Sequence, residues 1–262
     1  MKKLIVANWK NHPNTLAEAE QILDSVDEYL GSLDERELSL IFCPPFVFLE
    51  EAGKLLKTSH LEHNAELGAQ DIATDDNTAL TGEVSGVMLN ELGVRYVIVG
   101  HSERRWKLGE TDEVVNKKLK AALKNEFVPI VCLGEKVRDE NFREFLTDQT
   151  KATFADLSSD EIARCVIAYE PVWAISTTPG AHSDTPESAT ESIKIIEDVL
   201  VKGFKLKNEN LPKMLYGGSV TSANAREFFA NEELDGVLVG GASVKKEEFV
   251  KILSVVRELG ER

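Results

Sequence analysis

A single acidic residue stands at the end of a short apolar run in the second half of the chain. The run from Val166 to Tyr169 is typical of a fully buried strand, and Glu170 follows it directly. Pro171 ends the strand, because proline has no N–H group to donate to a neighbouring strand. A buried carboxylate is costly unless it has a partner or a chemical task. Glu170 is therefore either a structural acid that caps a strand end or a group that does chemistry.

Other groups that could do chemistry follow other apolar runs. Lys10 comes after the first run, His101 after the fourth, and glycine pairs follow the last two, at positions 217–218 and 240–241. Each has an ordinary explanation by itself: a solvated lysine, a hydrogen-bonded histidine or turn glycines. Glycines just before a helix also let backbone N–H groups crowd around a phosphate, and the helix dipole favours an anion there. Together they indicate a cation, an imidazole and a carboxylate beside a phosphate site.

The apolar runs that would position these groups recur along the whole chain. Buried strands are predicted near residues 3–7, 38–42, 60–65, 94–99, 128–133, 163–169, 212–216 and 235–239. Helical periodicity between them is clearest in residues 16–30, 111–124, 186–201 and 245–258. Thr185 and Pro186 predict the start of the third of these helices, as its N-cap and first residue. The alternation of strands and helices predicts a parallel sheet.

This pattern, in a chain of 262 residues, predicts an α/β fold of the (β/α)8 barrel type. A doubly wound sheet is the alternative, but residues 7–10 lack the glycine-rich turn that its dinucleotide-binding forms carry. No linker or low-complexity segment interrupts the pattern, so we expect residues 1–262 to form a single catalytic domain. In such a barrel the functional groups lie at the carboxyl ends of the strands, where Lys10, His101 and Glu170 stand.

Composition excludes several classes of protein. The net charge of −15 argues against a nucleic-acid partner and against binding to an anionic membrane. The first apolar run is too short for a signal sequence, and no run is long enough to span a membrane. Cys43, Cys132 and Cys165 are widely spaced, which is typical of reduced cytoplasmic thiols. We therefore expect a cytoplasmic protein without a metal site, in which an anionic ligand needs a locally positive pocket.

Five motifs in chain order resemble those of the triosephosphate isomerase family. They are Asn8-Trp9-Lys10, Gly100–Arg105, Ala168–Ile175, Tyr216–Val220 and Val239–Ser243. Because they run from the first strand to the last, the resemblance covers nearly the whole chain. It implies a single-domain TIM barrel that interconverts dihydroxyacetone phosphate and D-glyceraldehyde 3-phosphate through an enediolate, in glycolysis and gluconeogenesis.

The resemblance also implies roles for individual residues. Glu170 is the expected base, His101 the neutral electrophile that is this family's established feature, and Lys10 the cation that holds the anionic substrate. A helical turn after His101 would disfavour the imidazolium form, and Asn8 is the expected partner of a substrate oxygen. The expected phosphate-binding residues are Ser176, Ser219, Gly240 and Gly241. The expected supporting and lid residues are Glu103, Cys132, Pro171, Trp173, Ile175 and Leu238. The family implies no metal and no organic cofactor.

The loop after Glu170 resembles the family's lid but departs from it in sequence. Ser176 and Thr178 stand where the family has glycines. The segment up to Thr185 is longer by about three residues, which adds little closure entropy. We expect Ser176 to bind phosphate through its backbone N–H, which requires a negative φ.

The lid should move on two hinges. Residues 171–173 should form the first, because proline fixes φ and the next two side chains are bulky, and residues 181–184 should form the second. The additional residues near 179–180 should bulge into solvent. Ile175 and Leu238 should form an apolar clamp over the catalytic carboxylate, which would strengthen it as a base.

A symmetric homodimer is also implied by the resemblance. The contact should involve the loop at 71–80 and the residues Asn11 and His12, with Thr81 near the partner's active site. Thr78 stands in that loop where a glycine is common, and Asn11 and His12 replace the family's usual residues, so we expect a weaker contact.

Two other functions are compatible with these motifs. One is an isomerase of a slightly larger sugar phosphate, admitted by the altered lid. The other is a non-catalytic barrel that serves as a scaffold. The presence of Lys10, His101 and Glu170 together favours an enzyme, since a scaffold has no use for the three.

Overall fold

A closed barrel of eight parallel strands organises the molecule, as seen in a computed structural model that describes residues 3–31, 38–77, 79–176 and 178–260. The strands are β1 Lys3–Asn8, β2 Leu38–Cys43, β3 Ala65–Ala69, β4 Tyr96–Val99, β5 Val128–Leu133, β6 Val166–Tyr169, β7 Lys213–Tyr216 and β8 Gly236–Val239. Each pairs with the next along the chain, and β8 pairs with β1. The predicted (β/α)8 barrel is confirmed, and the alternative of a doubly wound sheet is wrong.

Helices lie between the strands. They are α1 Leu16–Leu30, α2 Leu49–Thr58, α3 Gly86–Glu91, α4 Ser102–Lys107, α5 Asp112–Lys124, α6 Phe142–Thr153, α7 Ser159–Ala163, α8 Pro186–Phe204, α9 Ala225–Ala230 and α10 Lys246–Gly260. The four helices predicted from periodicity are confirmed to within three residues at each end. Within the described residues, no helix is long and apolar enough to cross a membrane.

Local capping explains why several helices begin where they do. Thr15 and Glu18 form a capping box at the start of α1, in which each side chain accepts a hydrogen bond from the other residue's backbone N–H. The predicted cap of α8 is confirmed, because the Thr185 side chain accepts the Ser188 N–H and Pro186 opens the helix. The loop that follows Glu170 therefore ends at a capped helix start.

The third strand lies further along the chain than predicted. Residues 60–65 were expected to form it, but His60–His63 is a short 3₁₀ turn and β3 begins at Ala65. The strand contains Glu66 and Gly68 and no β-branched residue, so its sequence is not typical of a strand. Its glycine serves close packing, since a Cβ at Gly68 would lie 2.5 Å from Cys43 Sγ.

Side chains fill the barrel, so it is a packed core and not a channel. Alternate strand residues point inward and outward, and both faces are buried, which is why the strands appear as continuous apolar runs. The inner cluster includes Leu4, Val6, Ile41, Cys43, Ile98, Ile130, Cys132, Val166, Ala168, Leu215 and Leu238. With the interior closed, the space for a ligand lies at the carboxyl ends of the strands.

The three cysteines are buried and unpaired. Burial raises the pKa of the Cys43 thiol well above its usual range and that of Cys165 to about 12. Burial and the neighbouring Glu170 carboxylate likewise raise the pKa of Cys132. All three are therefore protonated at neutral pH and are not poised as nucleophiles. The predicted supporting role of Cys132 stays a prediction.

Candidate active site

Glu170 lies at the carboxyl end of β6 with only 2% of its surface exposed. Its Oε2 accepts the Ser102 N–H at 2.7 Å, and its Oε1 lies 3.0 Å from His101 Nε2. Burial raises the pKa of this carboxyl, but His101, the Ser102 N–H and Lys10 together hold the pKa below its ordinary value. Glu170 is therefore ionised at neutral pH, which is the form a general base requires.

The lowered pKa differs from the expectation that burial strengthens this base. His101, the Ser102 N–H and Lys10 stabilise the ionised form, and together they outweigh desolvation. The predicted clamp of Ile175 and Leu238 stays a prediction. Ile175 is buried at the lid, and Leu238 belongs to the inner cluster of the barrel.

His101 is the N-cap residue of α4, as the helical turn predicted after it requires. Its Nδ1 accepts the Glu103 N–H at 3.2 Å, so in this arrangement Nδ1 carries no proton. The ring is then neutral with its proton on Nε2, the nitrogen that faces Glu170. A neutral donor thus points into the space where the carboxylate lies.

Lys10 has a left-handed backbone, with φ of 56°. For a residue with a side chain this conformation costs roughly 1–3 kcal/mol, so the surroundings must hold it. Asn8 Oδ1 accepts the Lys10 N–H at 3.0 Å, and Gln70 Nε2 donates to the Lys10 carbonyl at 2.7 Å. Gln70 also donates to the Cys43 carbonyl at 2.8 Å, which ties it to β2.

The ammonium group of Lys10 lies 3.1 Å from Glu103 Oε1. Burial raises the pKa of Glu103, but the charges of Lys10 and Lys107 help to bring it below its ordinary value, with Lys10 the larger of the two. Gly240 faces the same lysine, since a Cβ there would lie 3.1 Å from Lys10 Cε. The cation therefore sits between its acidic partner on α4 and the glycine turn after β8.

Three of the glycines at strand ends make room for these side chains and backbones. A Cβ at Gly217 would lie 2.8 Å from Glu170 Cγ, and one at Gly134 would lie 1.9 Å from the Glu170 carbonyl oxygen. A Cβ at Gly218 would lie 2.2 Å from the hydroxyl oxygen of Tyr216. Gly241, in contrast, has open space around it and begins the 3₁₀ turn Gly241–Val244. The glycine pairs therefore do more than turn the chain.

The lid reaches one of the two predicted phosphate turns. The Ser176 N–H donates to Ser219 Oγ at 2.7 Å, which brings two of the expected phosphate-binding residues together. Among the described residues with a side chain, positive φ angles occur at Lys10, Glu126, Asp156 and Lys205, so Ser176 meets the condition of a negative φ. Thr178 lies in the lid as expected, whereas Thr78 of the expected dimer loop lies outside the described residues.

The segment predicted to be the first hinge of the lid is bound to the barrel through Glu135. Pro171 leads into the 3₁₀ turn Val172–Ala174, and its role as a hinge stays a prediction. Trp173 Nε1 donates to Glu135 Oε1 at 2.9 Å, and the Tyr169 hydroxyl donates to the same oxygen at 2.8 Å. Glu135 is 1% exposed, so this carboxylate is a buried anchor for the start of the loop after Glu170.

Sequence reasoning missed Gln70 and Glu135 as parts of the site. The available signal was their place at strand ends, since Gln70 follows β3 directly and Glu135 follows β5 after Gly134. Their roles depend on contacts with residues far away in the chain, namely Lys10 and Trp173. The predicted base, electrophile and cation do converge at one end of the barrel.

Comparison with known proteins agrees with this geometry. The family model described as triosephosphate isomerase matches residues 3–256. The triosephosphate isomerase of Dictyoglomus turgidum is 40% identical over 255 residues, covering 96% of this chain and 98% of that protein. That of a Thermoanaerobacter species is 41% identical, covering 97% and 99%, and that of Aquifex aeolicus is 42% identical with the same coverage. With a full-length family match and a site of this composition, the chain belongs to the triosephosphate isomerase family and is an isomerase.

Proposed function

We propose that this site interconverts dihydroxyacetone phosphate and D-glyceraldehyde 3-phosphate, with Glu170 carrying the proton between adjacent carbons. The observation that supports this most directly is the 3.0 Å approach of His101 Nε2 to Glu170 Oε1 beside the Lys10 cation. A base, a neutral donor and a cation at one point are what proton abstraction next to a carbonyl requires.

Proton transfer begins when the substrate displaces the ligand-free contacts of Glu170. When the Glu170 carboxylate breaks its hydrogen bond with the Ser102 N–H, it loses a group that stabilises its charge but stays buried. The pKa of Glu170 then rises, because desolvation is the largest influence on it and acts upward. The carboxylate becomes a stronger base only with substrate in place.

The negative charge that develops on the substrate oxygens is met by donors already in position. His101 offers its Nε2 proton, and Asn8 offers its side-chain N–H2, because its oxygen already accepts the Lys10 N–H. Lys10 adds a full positive charge. Donors fixed in advance stabilise an enediolate without reorganisation during the reaction.

The phosphate group is held by the lid and by the turns after β7 and β8. The Ser176 N–H and Ser219 Oγ exchange their mutual hydrogen bond for bonds to phosphate, and Gly240 and Gly241 present backbone N–H groups. Lys10 supplies positive charge at the site, in a chain whose net charge is −15. Lid closure then excludes water, which protects the enediolate from losing phosphate.

The working form is a homodimer of single-domain chains, residues 1–262, in the cytoplasm. Leu80, the last residue of the expected contact loop, supports the dimer because its apolar side chain is exposed and would be stabilised by burial against a partner. Phe46, Val47 and Met88 are also exposed apolar side chains. Asn11, His12 and the loop at 71–80 complete the contact, and Thr81 approaches the partner's active site.

A coupled assay with both triose phosphates tests this function. We expect turnover in both directions, and much weaker activity toward a four-carbon ketose or aldose phosphate. A preference for the four-carbon substrate would instead identify the isomerase of a larger sugar phosphate.

A further inference from the structure

The lid of this chain has an aromatic contact between its two ends. The imidazole of His182 lies near the end of the lid and packs on the indole of Trp173, near its start. The ring centroids are 5.6 Å apart and the ring planes are inclined by 41°. The contact therefore joins the two ends of the loop across its base.

Trp173 is a fixed platform for this contact. Its Nε1 donates to Glu135 Oε1, a buried oxygen that also accepts the Tyr169 hydroxyl. The guanidinium of Arg138 lies 3.3 Å from Glu135 Oε1 and 6.0 Å from the indole ring. Because the indole is held by the barrel, whatever packs on it is positioned relative to the barrel.

The additional residues of the lid are folded back toward its first turn. The Ala181 N–H donates to the Thr178 carbonyl, which closes a turn with Pro179 and Gly180 at its centre. Gly180 has φ of 77°, as the third position of a type II turn requires. Thr178 Oγ1 donates to the Val172 carbonyl at 2.7 Å, a bond that a glycine at this position lacks.

This turn also sets the orientation of His182. Its Nδ1 lies 3.0 Å from the Gly180 carbonyl, and a carbonyl only accepts, so Nδ1 is the donor. Pro179 and Gly180 are exposed, as expected for the bulge, while Thr178 and His182 are tied to Val172 and Trp173. The added length thus forms a folded unit.

We propose that His182 is a positioning residue, which holds the lengthened lid against Trp173 so that the loop closes as one packed unit. The inference rests on the proposed isomerase reaction at Glu170. Without the contact, the additional residues must be ordered each time the lid closes, which opposes closure. Substrate binding then weakens, and the enediolate is exposed to water for longer.

The exposed enediolate has a characteristic side reaction. Its electron pair forms a new carbon–carbon double bond as the carbon–oxygen bond to phosphate breaks, which releases inorganic phosphate. The remaining enol takes up a proton and becomes methylglyoxal. The phosphate released per isomerisation therefore measures how well the lid closes, and a change in fold stability alone does not alter it.

The test compares His182→Ala, His182→Phe and, as a matched control, the same alanine substitution at the exposed His63, which lies outside the lid in the 3₁₀ turn before β3. For His182→Ala we expect KM and phosphate release per turnover to rise roughly three- to tenfold, which corresponds to the worth of an aromatic pair. His182→Phe keeps a ring on Trp173 and should restore both quantities. His63→Ala should match the wild type.

The inference is overturned if His182→Ala matches the wild type in both quantities, or if the phenylalanine variant is as impaired as the alanine variant. An inactive wild-type protein would reject the proposed function instead. The two failures are therefore distinguishable, because the comparison among variants is made only where the wild type isomerises.

Discussion

Two neighbouring groups of charged side chains at the mouth of the barrel differ in how fully their charges are paired. The support cluster consists of Asp71, Arg104, Glu110 and Lys118. Lys118 Nζ lies 2.7 Å from Asp71 Oδ2 and 2.6 Å from Glu110 Oε1, and Arg104 reaches the same two carboxylates at 2.8 and 2.7 Å. Each of the four charges has two partners of opposite sign.

The catalytic cluster consists of Lys10, His101, Glu103 and Glu170. Among the described residues, Glu170 has no lysine or arginine within ion-pair distance, and its neighbours are a neutral imidazole and a backbone N–H. Lys10 has Glu103 as its partner, but both side chains remain partly exposed. This cluster is therefore incompletely paired, although it shares helix α4 with the support cluster.

The difference in charge pairing distinguishes a cluster that supports the fold from a cluster that can bind a substrate. A fully paired buried cluster resists rearrangement, because removing one partner leaves an uncompensated charge. An incompletely paired cluster can exchange its contacts for those of an anionic substrate without that penalty. Substitutions in the two clusters should therefore have opposite signatures, with loss of stability in one and loss of activity in the other.

The largest effect should come from Glu170→Gln. Glutamine keeps the volume of the side chain but cannot accept the proton, so kcat should fall by about 10²- to 10⁴-fold. The matched control is Glu110→Gln in the support cluster, which should retain most of its kcat. Steady-state kinetics on folded protein measures both, and a near-normal kcat for Glu170→Gln would contradict the assignment.

Lys118→Met should break the support cluster. Its side chain is 4% exposed, and its removal leaves Asp71 and Glu110 short of a cation. We expect the free energy of unfolding to fall by about 3–5 kcal/mol, with kcat of the folded protein largely kept. Urea unfolding measures the first quantity. A variant of normal stability would show that the pairing contributes little.

Lys10→Met should weaken the binding of anions while leaving the fold intact. The variant keeps much of the apolar stem and loses the charge beside Gly240. We expect the affinity for a phosphate-bearing enediolate mimic to fall roughly a hundredfold. Titrations at several salt concentrations sharpen the result, since retained affinity with retained salt dependence would place the positive pocket elsewhere.

Acid should act on Glu170 and on Asp71 of the support cluster in opposite directions. The pKa of Glu170 is below its ordinary value of 4.5, so its contribution to stability is present above that value and is lost as pH falls through the lower folded pKa. Burial raises the pKa of Asp71 despite Lys118 and Arg104, so the ionised carboxylate destabilises the fold. Protonation by acid removes that destabilisation. The free energy of unfolding should be measured for the wild type and for Glu170→Gln between pH 6 and pH 3. As the pH falls, the wild type should lose more stability than the variant. A constant difference would exclude the Glu170 contribution.

The smallest effect should be on assembly. We expect a dimer that dissociates on dilution, and Leu80→Ser, which removes an exposed apolar side chain, should shift the dissociation to higher concentration. Sedimentation across a concentration series measures this. Full activity of a monomer at all concentrations would remove the partner's contribution to the site.

Much of the fold was predictable from the sequence because parallel strands buried on both faces appear as apolar runs. β3 was misplaced because Ala65, Glu66 and Gly68 do not form such a run, and their packing against β2 decides the structure. Of the site, Lys10, His101 and Glu170 were predicted from their places after strands and from motifs. The roles of Gln70 and Glu135 were not, since they depend on partners distant in the chain.

The burial of the three cysteines bears on how lid movement can be observed. A thiol reagent attacks the thiolate, and the raised pKa of Cys43, Cys132 and Cys165 keeps each as a buried thiol. The native chain should therefore take up maleimide dyes very slowly. A cysteine placed at the exposed Pro179 would be labelled selectively, without replacing the native three. Because the native thiols react slowly, background labelling should be low, and one dye at position 179 can report lid closure.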